Sequence, residues 1–160
     1  MDYLWTPWRY RYIADGPRED RCIFCDAVAA NDDKKFLIVL RGEKNFVILN
    51  LYPYTSGHVM VVPYAHVADF STAEPDTLAE MMRLAQRVQV ALAKTYNPQG
   101  YNLGMNLGRA AGAGITQHLH LHVLPRWSGD ANFMTVVGET RVEPEELSTT
   151  YERLRTALAG

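Results

Sequence analysis

The apolar positions of this chain fall into short runs separated by turn-forming residues. Phe36 to Leu40 is one such run, and Asn45 to Leu51 follows it after Gly42-Glu43-Lys44. Two runs around a break of that kind predict a β-hairpin. Val59 to Val62 follows Ser56-Gly57 and stops at Pro63, which predicts a third strand. The period then changes. Leu78, Met81, Met82, Ala85, Val88, Ala91 and Leu92 recur at helical spacing. Ser71 to Pro75 supplies the start chemistry of that helix, and Asn97-Pro98-Gln99-Gly100 ends it. Tyr101 to Leu107 predicts a fourth strand and His118 to Leu124 a fifth. Pro144-Glu145-Glu146 opens a final helix with Leu147, Tyr151, Leu154 and Leu158 as its apolar stripe. Strands joined by short connections, with one long helix between the third and fourth, predict an α+β domain. Its sheet has about five strands and is mainly antiparallel.

The fifth run carries the chemistry. His118, His120 and His122 are three of the five histidines, and they alternate strictly with Leu119, Leu121 and Val123. In extended backbone a period of two sends the imidazoles to one face and the aliphatic side chains to the other. Pro125 suits the end of such a strand. Histidine works near neutral pH as base, nucleophile or metal ligand. Three readings stand side by side: a surface row, a metal site built from the row, and nucleophilic catalysis by one imidazole tuned by its neighbours.

Bulk properties narrow the setting. The 160 residues fit one domain with a core, and the net charge of −2 argues against a nucleic-acid-coating role. No apolar run approaches the roughly 18 residues of a membrane helix, and the N-terminus carries no signal-peptide pattern. The expected compartment is the cytoplasm. Both cysteines lie in one unit, Cys22-Ile23-Phe24-Cys25. In a reducing compartment that unit points to metal ligation or redox chemistry, not to a structural disulfide. Two thiolates are half of a tetrahedral zinc site. Cys22, Cys25, His66 and His118 would complete a closed structural Cys2His2 set.

Three further features bear on a ligand. Gly108-Arg109-Ala110-Ala111-Gly112-Ala113-Gly114 lies just before the histidine row, where small residues let backbone N–H groups approach phosphate oxygens. Asn106 precedes that loop and is placed to bond a phosphoryl oxygen. Asn50 ends an apolar run; it reads as a strand-end cap, or as a sugar-binding amide where the site holds a nucleotide. Residues 1–20 hold Trp5, Trp8, three tyrosines and two prolines. They form an aromatic arm that packs over the sheet or against a second subunit, or closes the site as a lid.

His118-Leu119-His120-Leu121-His122-Val123-Leu124 satisfies the pattern His-φ-His-φ-His-φ-φ, with φ apolar, and the chain resembles the histidine triad family. Leu49-Asn50-Leu51-Tyr52-Pro53 and Ser56-Gly57-His58-Val59-Met60-Val61-Val62-Pro63 are similar to that family's nucleotide-binding half, and the similarity covers roughly residues 20–140. Leu4-Trp5-Thr6-Pro7-Trp8-Arg9 and the stretch from Pro125 to Phe133 resemble its branch of bacterial diadenosine tetraphosphate phosphorylases. The resemblance implies a histidine triad-like fold as a single domain over 21–160 behind the arm. It implies His120 as nucleophile at the α-phosphorus, with His122 orienting the phosphoryl group. It implies structural zinc on Cys22, Cys25, His66 and His118, ribose binding by Asn50, and phosphate binding by Asn106 and residues from Gly112 to Thr116. Relatives often carry Gln or Ser near Gly114; here Gly114 offers only backbone, with Thr116 or Gln117 as substitutes.

The expected activity is nucleotidyl transfer or hydrolysis on adenosine-containing nucleotides such as diadenosine polyphosphates, with phosphate as acceptor and a nucleotidyl-histidine intermediate. Mg2+ accompanying the substrate and a homodimer paired through the long helix and an edge strand belong to the same expectation. The alternatives are an adenosine phosphoramidate or aminoacyl-adenylate hydrolase, a metal-dependent hydrolase using the histidine row as ligands, and a nucleotide-binding regulatory protein without turnover.

Overall fold

The computed structural model describes residues 21–130 and 145–159. The aromatic arm over 1–20, the end of the stretch from Pro125 to Phe133, and Pro144 lie outside the described residues. Helix α1 (Ile23–Ala29) and the one-turn helix α2 (Asp33–Phe36) lead into strands β1 (Ile38–Arg41), β2 (Asn45–Leu49) and β3 (Val59–Pro63). The long helix α3 (Pro75–Tyr96), strands β4 (Gly100–Gly104) and β5 (Leu121–Arg126), and helix α4 (Leu147–Ala159) follow. The strands form one sheet in the order β1-β2-β3-β5-β4, and every neighbouring pair is antiparallel. This is the α+β architecture that the pattern predicts.

Both faces of the sheet centre are covered, so all five residues of β2 and all five of β3 are buried. Alternation divides them. Val47, Leu49, Val59, Val61, Leu121 and Val123 pack against α3 and α4, through Met81, Leu84, Val88, Tyr151 and Leu154. Phe46, Ile48, Met60 and Val62 face the other way, toward Phe24 and Ala27 of α1. The histidines share this second face, because Leu119, Leu121 and Val123 commit the first face to the core. No described helix is long and apolar enough to cross a membrane.

Several boundaries differ from the sequence expectation, each for a local reason. The Asp32 carboxylate accepts from Lys35 N–H at 3.1 Å and winds Phe36 into α2, and Leu37 at φ 61° ends the turn. The first strand therefore starts at Ile38, not Phe36. The fourth strand stops at Gly104 instead of Leu107, because its ladder with β5 ends at the Gly104–His122 pair. The fifth strand starts at Leu121, so His118 and His120 precede the ladder. The Leu119 N–H bonds the Val67 carbonyl at 2.7 Å instead of a neighbouring strand. Pro125 sits inside β5, one residue before its end. Its carbonyl accepts from Thr55 Oγ1 at 3.2 Å, and its nitrogen faces the same side, beyond the reach of β3, so no ladder bond is lost.

One buried carboxylate ties the β1–β2 turn to α3. Glu80 accepts from the backbone N–H groups of Glu43 and Lys44 at 2.7 and 2.8 Å and from Asn45 Nδ2 at 2.7 Å. Burial pushes its pKa up, but the bonds from Asn45, Glu43 and Lys44 outweigh that and leave it lowered. Glu80→Ala strips the Glu43 and Lys44 N–H groups of their acceptor and leaves Asn45 Nδ2 only the Thr77 carbonyl at 3.0 Å. Removing charge-assisted bonds of this kind costs about 2–4 kcal/mol, to be read by chemical denaturation at pH 7; unchanged stability would show that the staple contributes nothing.

Candidate active site and metal cluster

A cavity of about 560 Å3 opens on the histidine face. Ile23, Phe24 and Ala27 of α1 with Phe36 and Ile48 form an apolar slot in its wall. The wall also includes Asn50, Asn106, Gly112, Gly114, His120 and His122. Of the expected binding residues, Thr116 and Gln117 are not part of this wall. The intervening Ile115 is.

The backbone decides the proton positions on the imidazoles. His120 Nδ1 lies 2.9 Å from the His118 carbonyl. A carbonyl only accepts, so Nδ1 carries the proton and Nε2 keeps its lone pair. Burial lowers the His120 pKa against that bond and keeps the ring neutral. The Phe24 ring lies against it at 5.4 Å between centroids. His120 thus presents an oriented, neutral Nε2 lone pair at a cavity wall.

His122 is set by a longer chain of bonds. The Tyr54 N–H donates to His58 Nδ1 at 3.1 Å, so His58 carries its proton on Nε2. That Nε2 lies 2.9 Å from His122 Nδ1 and donates to it. His122 is left with its proton on Nε2, as a donor. Burial, then the neighbouring His120, pushes its pKa down to about 4. His58 is the site residue that the sequence pattern did not single out. The signal was Gly57-His58 at the mouth of β3. Gly57 sits at φ 80°, where a Cβ would meet Leu92 Cδ2 at 2.9 Å, and that glycine turn delivers His58 beneath His122.

Asn50 forms the expected strand-end cap and stands at the cavity. Its Oδ1 accepts from Tyr52 N–H at 2.9 Å in a strand-end turn.

His118 turns the other way. Its Nε2 donates to the Pro63 carbonyl at 2.8 Å, which leaves the Nδ1 lone pair facing Cys22 Sγ at 3.2 Å and Cys25 Sγ at 3.7 Å. His66 Nδ1 lies 3.4 Å from Cys25 Sγ. The four ligand atoms of Cys22, Cys25, His66 and His118 all fall within 4.8 Å of one another. Sulfur and nitrogen ligands on one tetrahedral zinc, at about 2.3 and 2.0 Å from it, stand about 3.5 Å apart. The donor set fits zinc in chemistry, number and spacing, and the Pro63 carbonyl is the outer partner that a metal-bound histidine needs. His120 and His122 are not part of this cluster, so the reading of the row as a shared ligand set does not match the geometry.

Two measurements follow. The purified protein should hold about one zinc per chain by elemental analysis, and Cys22→Ser should lose the metal and melt earlier; an unchanged melting midpoint after metal loss would refute a structural role. The second concerns pH. His122 titrates near 4 when folded and 6.5 when unfolded, so the unfolded chain binds more protons between those values. Stability is therefore full above about pH 6.5 and falls as pH drops toward about 4. From pH 7 to pH 5 this contribution is about 2 kcal/mol. His122→Asn should flatten the profile by that amount, and an identical profile would remove His122 as its source.

A model of the HIT domain matches residues 31–129. The chain is 39% identical over 166 aligned positions to an AP-4-A phosphorylase of Mycobacterium tuberculosis, covering 99% of this chain and 85% of that one. A zinc-bound histidine triad family protein from Mycobacterium smegmatis superposes with a TM-score of 0.72 at 32% identity, over 88% of this chain and 94% of that one. A histidine triad nucleotide-binding protein from Sulfolobus tokodaii superposes with a TM-score of 0.70 at 29% identity, over 86% and 92%. The triad geometry and these matches together establish that the chain belongs to the histidine triad family.

Proposed function

We propose that the protein transfers the nucleotidyl group of a diadenosine polyphosphate to phosphate, through a covalent intermediate on His120. The observation that carries this reading is the bare Nε2 of a neutral, buried His120 at the wall of a nucleotide-sized cavity. The relative from Mycobacterium tuberculosis is an AP-4-A phosphorylase, and its likeness extends over 99% of the chain.

The residues divide the work. The base enters the apolar slot between α1 and Ile48, and Asn50 meets the ribose hydroxyls. Asn106 and the backbone N–H groups at Gly112 and Gly114 face the phosphates, where preorganised donors stabilise charge on non-bridging oxygens. His120 Nε2 attacks the α-phosphorus and the remaining polyphosphate departs. The imidazole becomes positive as the P–N bond forms. The His118 carbonyl, already bonded to Nδ1, is placed to stabilise that charge. His122 donates from Nε2 to the phosphoryl group. The acceptor then displaces the imidazole, so one hard displacement becomes two easier ones.

Zinc on Cys22, Cys25, His66 and His118 supplies a structural cross-link, which holds α1 against the histidine segment. Mg2+ would enter as the counter-ion of the polyphosphate. Exposed Met82 and Val90 on α3 and exposed Leu103 on the β4 edge are the surface through which two chains would pair.

His120→Ala should abolish formation of labelled nucleotidyl-enzyme and reduce turnover by at least about 10^3, while AMP still binds. Full turnover by that variant would sink the assignment. Product analysis separates the acceptors: ADP formed from diadenosine tetraphosphate in the presence of phosphate marks the phosphorylase, and AMP alone marks the hydrolase.

A further inference from the structure

We propose that Arg109 forms, with the backbone of the 108–114 loop, a subsite for the phosphate group next to the scissile bond. It would bind the β-phosphate of the leaving group in the first half-reaction and inorganic phosphate in the second. The inference rests on the nucleotidyl-transfer reading and deepens it.

The loop is built around this arginine. Asn106, Gly112 and Gly114 line the same cavity as His120 and His122; Arg109 lies between Asn106 and Gly112 in the chain, and its exposed side chain is not itself part of the cavity wall. Arg109 opens a single 3-10 turn, closed by Gly112 N–H bonding the Arg109 carbonyl at 3.0 Å and Ala113 N–H bonding the Gly108 carbonyl at 3.3 Å. Gly108 and Gly112 flank the turn at φ 79° and 87°, and at neither would an added Cβ meet an atom within 4 Å. The turn is thus bordered by open space on both sides.

Its charge is uncommitted. From Gly100 to Pro125 Arg109 is the single Lys or Arg, and the stretch contains no Asp or Glu. Three other arginines are held in ion pairs: Arg41 pairs with Asp33 at 2.7 Å, Arg126 with Asp130 at 2.6 Å and Arg153 with Glu145 at 3.0 Å. Among the described residues Arg109 enters no ion pair of that kind, and its side chain is exposed. Lys35, the cation on the cavity wall, belongs to the apolar slot, where its ammonium lies 5.6 Å from the Phe36 ring centre.

The chemistry asks for one such cation. In a displacement at phosphorus, the nucleophile and leaving group lie roughly in line. The leaving polyphosphate therefore departs on the side opposite His120, and the acceptor returns along the same line. The β-phosphate and the incoming phosphate thus occupy one place in turn. In the return step an oxygen of hydrogen phosphate forms the new P–O bond while the P–Nε2 bond breaks. The electron pair returns to Nε2, and the nucleoside diphosphate leaves with the phosphate's proton. A guanidinium suits this place because its fork matches two phosphate oxygens.

The test is calorimetric binding of AMP and of ADP to wild type, Arg109→Gln and Arg109→Lys. AMP ends at the α-phosphate, while ADP adds a group in the subsite. Arg109→Gln should weaken ADP about tenfold or more, as loss of a charge-assisted bond implies, and leave AMP unchanged; Arg109→Lys should recover part of the loss. With diadenosine tetraphosphate, Arg109→Gln should raise KM for phosphate and shift product from ADP toward AMP. An ADP-to-AMP affinity ratio equal to that of wild type overturns the proposal. This ratio does not depend on turnover. Wild-type protein that binds both nucleotides but forms no nucleotidyl-enzyme would sink the transferase reading, while the ratio still decides the subsite.

Discussion

His118 holds two sites in register, and the rest of the functional face depends on it. Its ring serves the metal cluster through Nδ1 and the Pro63 carbonyl through Nε2. Its own carbonyl accepts from His120 Nδ1. One residue therefore anchors the histidine segment to α1 and also leaves the Nε2 lone pair of His120 free. A substitution at His118 would disturb both the Cys-His cluster and the orientation of His120, even though its ring does not line the cavity. Helix α1 is joined to the same residue from the other side: Cys22 and Cys25 reach its ring, while Phe24 packs edge-on against it at 5.3 Å. Helix α1 and its N-cap residue Cys22 thereby supply both thiols of the Cys-His cluster and one wall of the apolar slot.

The histidines stay neutral because the sheet is buried on both faces. Burial disfavours imidazolium, and His118, His120 and His122 all have lowered pKa values with burial as the leading cause. Neutrality gives His120 a lone pair at physiological pH. It also removes the cationic charge that a row of protonated imidazoles would bring to the phosphates. Under the proposed transfer, that charge would come from the loop of backbone donors with its single arginine.

Much of this was legible along the chain. The strand and helix periods marked every strand and both main helices, because each buries one face or two against neighbours of fixed spacing. The Cys22-x-x-Cys25 unit named half of a metal site directly. His66 and His118 completed it, and the fold brings the four together. Less was legible wherever a backbone group decided the outcome. Nothing in the alternation of His118, Leu119 and His120 says that the ladder starts only at Leu121. A hydrogen bond from Leu119 to Val67, far away in the chain, sets that boundary. Thr116 and Gln117 were reasonable phosphate ligands by type, yet Ile115 takes the cavity wall. His58 escaped notice because its role needs the Gly57 turn, the Tyr54 N–H and the register of β3 beside β5.

The sequence by itself determined the residue types and their faces. Three imidazoles lie opposite three aliphatic side chains, and a small-residue loop precedes them. Two thiols sit at the start of the first described helix. Side-chain alternation is a local property of extended backbone and survives whatever packs around it. Only the tertiary structure decided what each imidazole does. Which of a histidine's two distinct nitrogens carries the proton is set by the partner the other one finds, and those partners are carbonyls and amides brought in from other parts of the fold. Pro63 leaves His118 with its Nδ1 lone pair, the His118 carbonyl leaves His120 with its Nε2 lone pair, and Tyr54 acting through His58 leaves His122 a donor at Nε2.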